Sequence, residues 1–206
     1  MASGTKRLPR AVREQQMLDA AIAAFSANGF ADTSMDVIAA EAKISKPMLY
    51  LYYGSKDELF SACIARESGR FMESMAEGFD PSMRQKDQAR TLVREFLRFV
   101  YQNAESWRLL YRVAIGTTSF AHIVTDSRTS ITAMITDLIR RGTTTGASDL
   151  DFELTAVALV GAGEAVADRI AEGDIDLERA TDLLLGITWR GLRGVGVAPD
   201  AVGDEI

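Results

Sequence analysis

The sequence predicts an all-α protein. Apolar residues recur at helical spacing along nearly the whole chain, and prolines number only four in 206 residues. Ile and Val rarely alternate with polar residues in the two-residue rhythm of a strand. Start and stop signals then divide the chain into about nine helices.

In the first helix Leu18, Ile22 and Phe25 lie at i, i+4 and i+7, an amphipathic stripe. Gly29 ends it, and Phe30 packs just after. Thr33 reads as the N-cap of a short second helix, its hydroxyl accepting from the amide of Asp36. Met35, Ile38, Ala39 and Ala42 share one face of that helix. Lys43 and Ile44 form a turn. Ser45 is the next N-cap, and Pro47 sits in the first turn, where a missing N–H costs little. Leu49 and Tyr53, four apart, face inward. Gly54 tolerates the left-handed conformation that stops a helix, and Ser55 with Glu58 starts another. Two short helices across a tight turn, with a further helix start at once, form a helix-turn-helix. Longer helices follow over 57–78, 85–103, 106–116, 120–141, 151–171 and 176–193. No Gly/Ser-rich linker interrupts them, so the junction between an N-terminal unit (1–56) and a larger helical unit (57–206) is itself a helix.

The net charge is −6 and the pI about 4.9, which argues against a protein that coats nucleic acid generically. The distribution is uneven. Residues 1–56 hold seven basic and five acidic side chains, and the remainder sixteen and twenty-four. Lys6, Arg7, Arg10 and Arg13 precede the first acid. A basic end on an acidic body suits one DNA-facing surface and a body repelled from phosphate.

The residues that would carry enzyme chemistry are missing. His122 and Cys63 are the only histidine and cysteine, which leaves no His-based catalysis, no metal cluster and no intrachain disulfide. Asp149, Asp151 and Glu153, like Asp174, Asp176 and Glu178, lack the loop glycine and distant Glu of a calcium loop. They read as acids at helix N-termini. The 142–146 loop lacks the Lys of a phosphate loop. The reading has no catalytic residue, no metal and no cofactor. An all-helical enzyme or carrier stays only as a remote alternative. The chain also has no apolar run long enough to span a bilayer and no signal-peptide apolar region, so the expectation is a cytoplasmic protein with no membrane partner.

The segment from about Gln15 to Phe60 resembles the tetracycline-repressor (TetR) family of bacterial transcriptional regulators. Its carriers are Phe25, Asn28-Gly29-Phe30, Thr33-Ser34-Met35, Ile38-Ala39, Ile44-Ser45, Leu49-Tyr50, Tyr52-Tyr53 and Ser55-Lys56-Asp57-Glu58-Leu59. Tyr52-Tyr53 replaces the His-Phe of many members. The resemblance implies a double-stranded DNA operator read by the helix at 45–53, since a major groove admits one helix. Lys46, Pro47 and Met48 would meet base edges. Tyr50, Tyr52 and Lys56, with Thr33, Ser34, Arg7 and Arg10, would meet phosphates.

The last two helices carry small residues (Ala158, Gly161, Ala162, Ala165) that allow close approach of a symmetry mate. A homodimer through Leu159, Ala162, Val166, Ile170, Leu184, Ile187 and Gly191 is the expectation, and the resemblance implies the same use. It also implies an apolar pocket for a small lipophilic effector, with Phe71, Met75, Phe96, Phe99, Trp107, Tyr111, Phe120 and Met134 as candidates. Arg108, Arg112 and His122 would orient a polar group there. The implied function is a repressor released by effector from an inverted-repeat operator with half-site centres roughly 34–36 Å apart. The alternative is a DNA-binding regulator with no small ligand, controlled by a protein partner.

Overall fold

The computed structural model describes residues 9–117, 120–141, 148–173 and 175–194, without the side chains of 85 and 188–194. The described residues form nine α-helices and no strand. These are α1 (Arg10–Asp32), α2 (Met35–Glu41), α3 (Lys46–Tyr53), α4 (Lys56–Glu77), α5 (Gln85–Gln102), α6 (Ala104–Arg108), α7 (Ala121–Arg141), α8 (Asp149–Ala171) and α9 (Leu177–Gly194). A π-helical segment, Leu109–Ala114, continues α6. The all-α prediction and its helix number hold.

Local chemistry explains most boundaries. Gly29, at φ 79°, breaks the helical path of α1, and one turn remains before Thr33. The N-cap of α2 is Ser34 rather than Thr33, because the Ser34 hydroxyl accepts the amide of Val37 at 3.3 Å. Thr33 is buried and its hydroxyl donates to the carbonyls of Gly29 (2.7 Å) and Ala24 (3.2 Å). It closes the frayed end of α1 instead of opening α2. Helix α2 ends in a Schellman turn: the amide of Ile44 donates to Ala39 at 3.0 Å and that of Lys43 to Ala40 at 3.1 Å. This places Lys43 at φ 55°, a conformation better suited to glycine. Ser55 caps α4 by accepting from Glu58 at 3.1 Å. Ser148 and Asp151 form a reciprocal capping box on α8.

Helix α1 packs on α2, on α4, and on α6 with its π-helical extension. The core under the helix-turn-helix therefore continues into the body. Phe60 is buried at its centre, with ring centroids 4.8 Å from Phe25, 4.9 Å from Phe30 and 4.9 Å from Phe120. Leu109, Leu110 and Ala114 join the same core from the π-helical segment. In the body, α5 packs between α8 and α9, and α7 lies along α8.

A buried ionic network stitches the two parts together. Glu67 of α4 has no exposed surface. It accepts from Arg66 Nε at 2.7 Å and from Arg70 Nη1 at 2.8 Å. Arg66 reaches on to Asp19 and Gln15 of α1 at 2.8 and 2.9 Å, and Arg70 donates to Asn103 at 2.7 Å.

Candidate DNA interface and effector cavity

Helices α2 and α3 present one exposed surface. Ser34, Lys46, Pro47 and Tyr50 lie on it. So do Val37 and Leu51, which the sequence reading passed over; Leu51 is 82% exposed, the most uncovered large apolar side chain among the described residues. An apolar side chain left in water at mid-helix is the signal that was available, because Leu49 faces inward and Leu51 lies well round the helix from it. Lys46 donates to Asp36 of α2 at 2.8 Å, and both are exposed, so the pair is a weak tie that a nucleic-acid contact can replace.

The other predicted contact residues are placed differently. Met48 is half-buried, with Arg13 Nη1 4.0 Å from its sulfur. Tyr52 is half-buried with the Arg10 guanidinium 5.4 Å above its ring, and Arg10 itself pairs with Glu14 at 3.0 Å. The Thr33 hydroxyl is spent inside the protein, as described. Lys56 is likewise engaged: its Nζ donates to the carbonyls of Phe30 (2.8 Å), Thr33 (3.1 Å) and Ala31 (3.3 Å) and lies 4.4 Å from the Phe30 ring centroid. An ammonium has three donors, and all three are used to cap the end of α1. Arg7 lies outside the described residues. Burial pushes the Tyr53 phenol up to about 12, consistent with its inward prediction.

In the body an apolar cavity of about 150 Å³ opens between α4, α5, α7 and α8. Of the eight predicted lining residues, Phe71, Met75, Phe96, Tyr111 and Met134 line it. Trp107 stands behind Tyr111, stacked at 3.8 Å with its indole N–H donating to Asp168 at 2.8 Å. Phe99 packs on Phe71 in the wall at 5.2 Å. Phe120 belongs to the core under the helix-turn-helix. Arg108 donates to the Ala171 carbonyl at 3.1 Å, Arg112 pairs with Glu172 at 2.7 Å, and His122 is exposed; none lines the cavity. The charged wall residue is Glu164, to which the sequence analysis gave no role. One carboxylate oxygen accepts from Arg128 of α7 at 2.8 Å; the other is buried without a protein donor. Burial pushes the Glu164 carboxyl up, and Arg128 opposes that shift.

Two family models cover this architecture. Residues 17–63 match the model described as bacterial regulatory proteins of the tetR family, and residues 86–191 match the tetracyclin repressor-like C-terminal domain. The chain belongs to the TetR family. It is therefore a DNA-binding transcriptional regulator and not an enzyme. A TetR-like transcriptional regulator from Rhodococcus sp. RHA1 is 54% identical, with a TM-score of 0.84 over 91% of this chain and 100% of that one. The HTH-type transcriptional activator FasR of Mycolicibacterium smegmatis is 29% identical over 92% of this chain and 87% of its own length. An HTH-type transcriptional repressor of Streptomyces coelicolor is 39% identical over 30% of this chain and 31% of its own.

In this TetR-family body, α8 is apolar nearly all round, and its outward face differs from the predicted one. Leu154 (57% exposed), Val157 (47%), Ala158, Ala162 and Ala165 form an uncovered stripe, continued by Leu183 (58%) and Ile187 (59%) of α9. Of the residues expected at a dimer interface, Ala162 and Ile187 are exposed. Ile170 and Leu184 are buried in their own chain's core, Val166 packs against that core, and Leu159 and Leu184 line the cavity. Ile170 and Leu184 are therefore turned inward, while Leu159 and Val166 are half-buried. Gly191 lies in the part of α9 whose burial is not described. No helix of the described residues is long and apolar enough to cross a membrane, and they contain no acidic, His or Cys cluster suited to a metal.

Proposed function

We propose that the chain works as a homodimer that binds an inverted-repeat operator through residues 1–56 and is released as a lipophilic effector enters the body formed by 57–206. The cavity carries this reading: about 150 Å³ of apolar space is unlike the close-packed interior of a body built only for support. Helix α4 supplies the mechanical link, since its start is held to α1 by Lys56 and its second half supplies Phe71 and Met75 to the cavity wall. An effector releases DNA only through its differential affinity for two conformers, and a hundredfold preference supplies about 2.7 kcal/mol. The uncovered stripe on α8 and α9 supports a two-fold dimer, whose two α3 helices would enter successive major grooves.

Operator selected from a random DNA pool tests the first half. The dimer requires an inverted repeat, and a single non-repeated site would sink it. Effector titrations in the presence and absence of that operator test the second half, because coupling must be reciprocal. A lipophile that binds equally well with and without operator removes the release claim. The sign of regulation has a second reading, activation, favoured by the activator name of a relative that spans 92% of the chain. Transcription in vitro from a promoter carrying the selected site separates it from repression.

A further inference from the structure

We propose that the effector is a neutral lipophile bearing one hydroxyl group, whose O–H is taken by Glu164. This rests on the reading of the cavity as the effector site, and it names the chemistry that site selects. The cavity wall is apolar except at Glu164 and the Tyr111 phenol. The Glu164 carboxylate is ion-paired: Arg128 holds one of its oxygens at 2.8 Å. Its second oxygen, Oε1, is buried and has no donor among the described residues. A buried acceptor left unpaired is costly, so a ligand that supplies a donor gains what the protein alone forgoes. The terminal torsion of a glutamate is soft, and a small turn that keeps the Arg128 contact swings Oε1 towards the cavity.

The donor's identity follows from what surrounds it. A carboxylate head would meet the Glu164 carboxylate across an apolar space and be repelled. An ammonium brings three donors and a charge, whereas the wall offers one free acceptor and Arg128 has already balanced the charge. A hydroxyl brings one donor. Its own oxygen can accept from Tyr111, a neutral O–H at physiological pH, because burial first and the nearby Glu164 carboxylate second push the phenol up. A water there would have only those two polar partners, the fewest an ordered water takes, and would leave the apolar wall uncovered. The volume fits a single ring or a short chain, as a cavity of this size accommodates benzene.

Phenethyl alcohol, its isomer benzyl methyl ether and phenylacetate provide the test, by titration calorimetry on the full chain at about pH 8, where a carboxylate is ionised. The alcohol and ether share size and atoms and differ in the donor. The alcohol should bind about tenfold tighter than the ether, as expected for a hydrogen bond to a charged acceptor, and tighter than phenylacetate. In Glu164→Met the alcohol's advantage over the ether should vanish while ether binding persists. Equal binding of alcohol and ether to the wild-type chain, or tightest binding of phenylacetate, overturns the hydroxyl inference and leaves the cavity reading standing. Failure of all three to bind the wild-type chain overturns the cavity reading and this inference with it.

Discussion

Glu67 offers the sharpest test of how the helix-turn-helix is fastened to the body. Its carboxylate is wholly buried and accepts two charged bonds, from Arg66 at 2.7 Å and Arg70 at 2.8 Å. Consider Glu67→Ala. Arg66, only 15% exposed, keeps Asp19 as a partner, although Asp19 is itself 68% exposed. Arg70 is 47% exposed and can turn to water. Removing one member of a buried pair costs about 3–5 kcal/mol when the survivor has nothing left. Here Arg66 retains an acid and alanine gains a few tenths of a kcal/mol in helix propensity, so the loss should fall near the low end, about 2–3 kcal/mol. Arg70→Ala leaves Glu67 paired with Arg66 and removes a half-exposed partner, so it should cost about 1 kcal/mol or less. The double substitution should cost less than the sum, because the two residues share one bond. Urea unfolding followed by circular dichroism, at one fixed protomer concentration, gives all three values. A Glu67→Ala loss under about 0.5 kcal/mol, which is the range of ordinary surface changes, refutes the argument. So does an Arg70→Ala loss equal to that of Glu67→Ala.

Other outcomes follow from the same geometry. Lys56→Met should lower stability by about 1–3 kcal/mol, since charged donors to three carbonyls are lost, yet leave the salt dependence of operator binding unchanged; a flatter salt slope in filter or anisotropy titrations would return Lys56 to the phosphates. Lys43→Gly should raise stability by about 0.4–1 kcal/mol, because the residue occupies the left-handed region, and thermal melts showing a loss would contradict the turn assignment. Val157→Glu should yield monomers in sedimentation while circular dichroism stays helical; dimers that persist would place the partner face elsewhere. Burial pushes the Cys63 thiol from its ordinary 9.0 up to about 12. Below pH 9 the thiol is protonated in folded and unfolded chains alike. Above it the unfolded chain sheds the proton first, so stability should fall as pH rises towards 12, and a thiol reagent near neutral pH should label Cys63 only on unfolding.

Legibility in the sequence tracked how local each cause is. Gly29 and Gly54 act within a turn of their own position, and the breaks they set were readable. Thr33 and Ser34 are neighbouring candidates for one cap, and the choice between them was made by a carbonyl nine residues back, at Ala24. Lys56 is anchored 26 residues upstream, at Phe30, and a lysine at a helix start gives no sign of that. The α8 face was misread for another reason: a helix apolar on every side has no stripe, so periodicity cannot say which side meets the cavity and which meets solvent. Phe120 shows the same limit among the aromatics. Its size marked it as buried, and only the packing of α7 against α4 decided which core received it.

That two-sided helix constrains how the protein can change over generations. Along α8, Val160, Gly163 and Glu164 shape the cavity while Val157, Ala158 and Ala162 form the stripe opposite. A methyl group at Gly163 would lie 3.4 Å from the Phe96 ring, an ordinary contact that takes up cavity space. Walls that belong to α5 and α7, such as Ala89 and Met134, lie on other helices than the stripe. A lineage acquiring a new inducer would be expected to accumulate its substitutions there first, leaving α8 as the conserved spine around which preference is remodelled.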